Sequence, residues 1–91
     1  LAYTNRGEYK KSLEYHEQAI AVAAQQNDSI QLGHSYNNLG RMFFDGGDQV
    51  RAINNFFRAK EIFDALNNKS GLAYVFRSLA SVYKAQNEFD N

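Results

Sequence analysis

Tyr36-Asn37-Asn38-Leu39-Gly40-Arg41-Met42-Phe43-Phe44-Asp45-Gly46-Gly47-Asp48 contains one amphipathic helix, its stop and the start of another. Tyr36, Leu39, Gly40 and Phe43 recur at steps of three and four, which places them on one face of an α-helix. Gly46 and Gly47 end that pattern, because glycine accepts the left-handed backbone that closes a helix C-terminus. Asp48 is suited to cap the helix that follows. Upstream, Leu32 continues the stripe, and Asp28 with Gln31 has the spacing of a capping box, so a helix is predicted from about Ser29 to Phe44. Downstream, Ala52, Ile53, Phe56, Ala59, Ile62, Phe63 and Leu66 form a second inward stripe that ends at Asn67 and Asn68.

The same text recurs on both sides at one fixed spacing. Gly7-Glu8-Tyr9, Gly47-Asp48-Gln49 and Asn87-Glu88-Phe89 lie forty residues apart. The register also pairs Tyr3 with Phe43 and Tyr83, Ala19 with Ala59, Tyr36 with Phe76, and Leu39 with Leu79. A period of roughly 20 to 50 residues is the signature of a solenoid, in which each unit buries its apolar face only against its neighbours. The first helix, from Glu8 to Gln26, carries Tyr9, Leu13, His16, Ala19, Ile20 and Ala23 on one stripe. The last, from about Ser70 to Ala85, is predicted to bury Leu72, Phe76, Leu79, Ala80 and Tyr83, with Asn87 as its left-handed cap. There is no proline and no alternating strand pattern, and the short loops force adjacent helices to run antiparallel. Residues 1–27 read as a partial unit lacking most of its first helix, 28–67 as a complete unit, and 68–91 as a partial unit lacking its second. The ends read as cuts through a longer array.

Small residues mark the close approaches: Gly40 and Ala80 in one helix class, and Ser12 with Ala52 and Ala19 with Ala59 in the other. Tyr36, Phe43, Phe56, Phe76 and Tyr83 surround those notches, and their expected role is core packing. Among 91 residues, ten basic side chains balance ten acidic ones, so no global field draws in nucleic acid or an anionic membrane. Cysteine is absent, which removes disulfide frameworks and thiolate chemistry and is compatible with a reducing, cytoplasmic setting. The longest apolar run, Ala19 to Ala24, is far below the roughly 18 residues that suggest a membrane span.

Tyr36, Leu39-Gly40, Phe43, Gly47-Asp48, Ala52, Phe56 and Ala59 resemble the tetratricopeptide repeat pattern of aromatic, Leu-Gly, aromatic, Gly-Asp-aromatic, Ala, aromatic, Ala. The first copy matches it through Gly7-Glu8-Tyr9, Ser12, His16 and Ala19, and the third through Phe76, Leu79-Ala80, Tyr83 and Asn87-Glu88-Phe89. Ser12, His16, Gln49 and Ala80 depart from it, and the period exceeds the family's usual length of about 34 residues. The resemblance implies an all-α fold of antiparallel helix hairpins stacked in a right-handed α-α superhelix, with the first helix of each unit lining a concave groove. The long period is similar to repeat arrays of receptor-coupled G-protein regulators, bacterial peptide-pheromone receptors and bacterial sensor kinases, which implies a larger bacterial signalling or regulatory protein.

On that geometry the groove wall is expected to present His34, Asn37, Arg41, Phe44 and Asp45 from one helix, and Tyr74, Arg77, Ser81 and Lys84 from the next. Of the first unit's wall, only Thr4 and Asn5 remain. Asn amides can clamp a backbone and Arg guanidiniums suit carboxylates, so a protein or peptide partner with acidic residues or a free C-terminal carboxylate is expected. The resemblance extends in part to carboxylate-clamp arrays, with Asn37, Arg41 and Arg77 as the matching residues. Asn38 has two readings, ligand contact or a hydrogen bond between helices, and the second is the one expected. An alternative is a spacer or self-association segment, with a homodimer formed through the apolar stripe that Tyr3 and Tyr83 leave at the ends.

Catalytic chemistry is not expected. His16 and His34 lie on different faces, and His34 has no acidic residue at i±3 or i±4 to orient it. No nucleophile elbow, phosphate loop or metal-ligand spacing is present, and Asp45-Gly46-Gly47-Asp48 lacks the alternating oxygens and distal Glu of a calcium loop. No metal and no cofactor are implied. Asn27-Asp28-Ser29 and Asn68-Lys69-Ser70 fit a glycosylation sequon but are better explained as helix punctuation.

Overall fold

The computed structural model describes residues 6–90. The expectations for Tyr3, Thr4 and Asn5, and for the side chain of Phe89, lie outside the described residues. Four helices follow one another: α1 (Arg6–Gln25), α2 (Ser29–Asp45), α3 (Gln49–Ala65) and α4 (Lys69–Asp90). Among the described residues there is no strand.

Each of the three turns is built the same way. Asn27, Gly47 and Asn67 have φ of 54°, 89° and 52°, the left-handed conformation that Gly and Asn tolerate best. The amide of Gly47 donates to the Phe44 carbonyl and that of Asp48 to the Phe43 carbonyl. Asn27 and Asp28, then Asn67 and Asn68, repeat both bonds, which is the Schellman closure of a helix. The next residue then caps the following helix. Asp28 accepts from the Gln31 amide at 3.1 Å, Asp48 from Arg51 at 3.0 Å and Asn68 from Gly71 at 2.8 Å. The forty-residue period therefore divides into two similar halves, each one helix and one turn. Only half of the expected capping box forms, because the Gln31 side chain bonds to Ser35 at 3.5 Å instead of reaching back.

The fourth turn does not form, and α4 runs through Asn87 to Asp90 rather than stopping near Ala85. Position 88 carries Glu where the working turns carry Asp or Asn. Asp and Asn lead the helix-cap preferences because their short side chains reach the second or third amide. Position 8 also carries Glu, and Gly7 and Glu8 lie within α1, which is described from Arg6. Gln86, where the working turn has Gly46, is tied back to Gln49 of α3 at 3.3 Å.

The core comprises Leu39, Phe43, Ala52, Phe56, Ala59, Phe63, Val75, Leu79 and Val82. Tyr9, Leu13 and Ile20 of α1 pack onto it while half-buried. Glycines set three close approaches. A Cβ on Gly40 would stand 2.5 Å from the Phe56 ring, and Cβ atoms on Gly33 and Gly71 would both collide with the Phe63 ring. Phe63 thus seats against bare backbone of both α2 and α4.

The buried arcs differ from the single stripes expected. Helix α2 packs against α1, α3 and α4, so Gly33, Ser35 and Asn37 are buried along with Leu39, Gly40 and Phe43. Among the described residues, helix α4 packs against α3 and α2 only. It buries Gly71, Val75, Ser78, Leu79 and Val82 and half-buries Leu72, whereas Phe76, Ala80 and Tyr83, expected in the core, are exposed. The face that α3 covers on α2 has no counterpart covering it on α4 among the described residues.

Candidate functional site

The two helix classes form layers of different spacing. Helices α2 and α4 touch each other, whereas among the described residues no Cα atom of α1 comes within 8 Å of one of α3. One layer is a continuous wall and the other is split by a crevice.

The wall brings three of the expected residues together. His34, on the first half of α2, lies edge-on to the Phe63 ring with centroids 5.0 Å apart, and edge-on to Tyr74 of α4 at 5.7 Å. The Arg77 guanidinium stands over the Tyr74 ring at 6.0 Å. These contacts leave His34 half-buried, Arg77 exposed and Tyr74 53% exposed. Arg41, Ser81 and Lys84 are also exposed and Phe44 is half-buried. Ser81 donates its hydroxyl to the Arg77 carbonyl of its own helix at 3.2 Å. Arg41, Arg77 and Lys84 form no ion pair among the described residues, so the face carries three cations beside the single carboxylate of Asp45. A guanidinium resting on a ring keeps its N–H edge free for a carboxylate.

Asn37 requires correction. It was expected to present its amide on the open face, but it is 5% exposed and its Oδ1 has no hydrogen-bond partner. The cause is the three-sided packing of α2. Arg77, its counterpart one period later, sits on the less covered α4 and is free. Asn38, expected to bond between helices, is exposed instead. Of the three residues expected to form a clamp, only Arg41 and Arg77 are exposed.

The cation–π contacts of α3 were not anticipated from the sequence. Arg51 lies over Phe43 at 5.6 Å and Arg58 over Tyr36 at 5.7 Å. The available signal was that the two arginines on α3 and the two rings on α2 are each seven residues apart, two helical turns. Of the two histidines, His16 has its pKa lowered by burial. No group of three His, Cys, Asp or Glu side chains among the described residues is placed to hold a metal ion. No helix among them is long and apolar enough to cross a membrane.

Comparison with known proteins adds to this geometry. The family model for the tetratricopeptide repeat matches residues 1–65. The photosystem I assembly protein Ycf3 of Prochlorococcus marinus strain NATL2A is 30% identical over 59 residues, 65% of this chain and 32% of that protein. The same protein from strain NATL1A is 29% identical over 59 residues, with the same coverage. The chain thus spans about a third of the length of the curated relatives it matches. No solved structure matches it.

Proposed function

Because the chain belongs to the tetratricopeptide repeat family, whose repeats mediate protein–protein interaction, we propose that its α2–α4 wall binds a polypeptide bearing acidic side chains or a free C-terminal carboxylate. The observation that carries this reading is the His34–Tyr74–Arg77 cluster bridging the two helices. It holds one cation in place, with Arg41 and Lys84 unpaired nearby. An array whose α2 and α4 touch while α1 and α3 stand apart bends toward the touching layer, which makes the wall the concave side. Aromatic and Arg residues are also the types that dominate binding energy at protein interfaces. The assembly role named for the cyanobacterial relatives favours a module that holds another chain within a larger bacterial regulatory or assembly protein.

The test is fluorescence polarisation with a fluorescein-labelled Asp/Glu-rich peptide that ends in a free carboxylate, compared with its amide. Removing charge-assisted hydrogen bonds, each worth about 1.5–3 kcal/mol, from Arg77→Ala combined with Lys84→Ala is expected to weaken binding at least tenfold. Both side chains are exposed, so melting should hardly change. Unchanged affinity in the double variant places the site elsewhere.

A second reading, self-association, is favoured by one observation. Phe76 and Tyr83 are 51% and 46% exposed on one face of α4, where their counterparts Tyr36 and Phe43 lie beneath α3. Sedimentation equilibrium is then expected to show a dimer at micromolar concentration that Phe76→Ser with Tyr83→Ser converts to monomer. A monomer at every concentration removes this reading.

A further inference from the structure

The crevice between α1 and α3, on the side of α2 away from the wall, is a second site of a different kind. Its volume is about 420 Å³, within the range of roughly 300–1,000 Å³ typical of ligand pockets. Leu13 and Ile20 of α1 form one side, Tyr36 and Phe43 lie on the floor, and Arg51 and Arg58 of α3 form the other side. Both guanidiniums lie over the floor rings. The Arg58 side chain makes no ion pair or hydrogen bond among the described residues. Arg51 has one link, through Nε to Asp48 at 3.4 Å, and its terminal nitrogens are not spent on it. The opposing carboxylate, Glu17, is exposed and forms no ion pair among the described residues.

This arrangement is more specific than an apolar hollow. A stacked guanidinium loses little further freedom on binding, and its in-plane donors match a carboxylate. Arg51 and Arg58 are seven residues apart, about 10.5 Å along the α3 axis at 1.5 Å per residue. Two carboxylates seven residues apart on a helix span the same distance, and apolar side chains midway between them point from the same face. We propose that this crevice docks an acidic amphipathic helix of a protein partner, with apolar anchors seated among Leu13, Ile20, Tyr36 and Phe43 and flanking carboxylates on Arg51 and Arg58. The mode is a helix laid into a groove. It is independent of the α2–α4 wall, which faces the other way.

The test uses an acetylated and amidated Ala-based helical peptide with two Glu seven residues apart and a Leu pair midway between them. It lacks a terminal carboxylate, one of the two groups proposed to favour the wall, and the Arg77→Ala comparison separates any binding of its Glu side chains there. Titration into the 15N-labelled protein is expected to give saturable shifts at Ile20, Asn55 and the Arg58 Nε–H. Arg58→Gln should weaken binding about tenfold and Glu17→Gln should strengthen it, whereas Arg77→Ala should leave it unchanged. A peptide with Gln in place of both Glu should bind at least tenfold more weakly. Shifts centred on Tyr74 and Arg77, or equal affinity for Arg58→Gln or for the Gln peptide, would overturn the assignment. Arg58 is exposed, so its variant should fold, and retained helical circular dichroism verifies that each comparison concerns binding.

Discussion

Phe63→Ala should lower the unfolding free energy by about 3–5 kcal/mol, the usual cost of truncating a buried Phe. Against a total of about 5–15 kcal/mol, that leaves a marginal protein. The side chain is 0% exposed and contacts the backbone of α2 at Gly33 and of α4 at Gly71, so its loss opens a gap shared by three helices. The preceding period offers a rescue. There, Ala23 and Gln31 occupy the positions of Phe63 and Gly71, a small and a large residue exchanged. Gly71→Gln alone should destabilise by colliding with the ring. In the Phe63→Ala background it should recover part of the loss, giving a coupling energy of opposite sign to the single effects. Urea titration of the four proteins reads this cycle. Additive effects would mean that Phe63 does not fill the space left by Gly71.

Leu39→Asp should leave the chain unfolded at neutral pH. Leu39 is 7% exposed within the core cluster, and an ionised carboxylate there has no partner. Burying it costs several kcal/mol unless it takes up a proton. The sign of the pH dependence follows. The folded state would hold the introduced carboxyl well above its unfolded value of about 3.9, so folding binds a proton and stability rises as pH falls through that window. Helical circular dichroism should therefore be low at pH 7 and partly restored near pH 4. A cooperative melt at pH 7 comparable to that of the parent would contradict the burial of this position.

Much of this fold was legible because apolar spacing and turn chemistry agree. Leu39, Gly40, Phe43, Ala52, Phe56 and Ala59 are buried as their periodicity implies, and the breaks fall at Asn27, Gly47 and Asn67 where the residue types permit left-handed backbone. Neighbour number was not legible. Helical spacing locates the centre of a stripe, but its width depends on how many helices surround it. That is why Asn37 proved buried on three-sided α2, and why Phe76 and Tyr83 proved exposed on two-sided α4. The run of α4 past Asn87 turns on a smaller distinction: Glu88 shares the charge of Asp48 but not its reach. In the candidate site, His34, Tyr74 and Arg77 were anticipated singly as residues of one wall. Their stacking across two helices depends on the α2–α4 contact, which no one-helix pattern encodes. The Arg51 and Arg58 side chains were missed because solvent-facing arginines on an amphipathic helix look alike until the ring beneath them is known.

The spacing difference between the two helix layers underlies both proposed sites, and amide shift mapping with the free-carboxylate acidic peptide tests its central consequence most directly. Saturable shifts clustered at His34, Tyr74, Arg77 and Lys84, with Ile20 and Asn55 unmoved, are the predicted result. Shifts confined to α1 and α3, or none at saturating peptide, would contradict the assignment of the α2–α4 wall as the binding face.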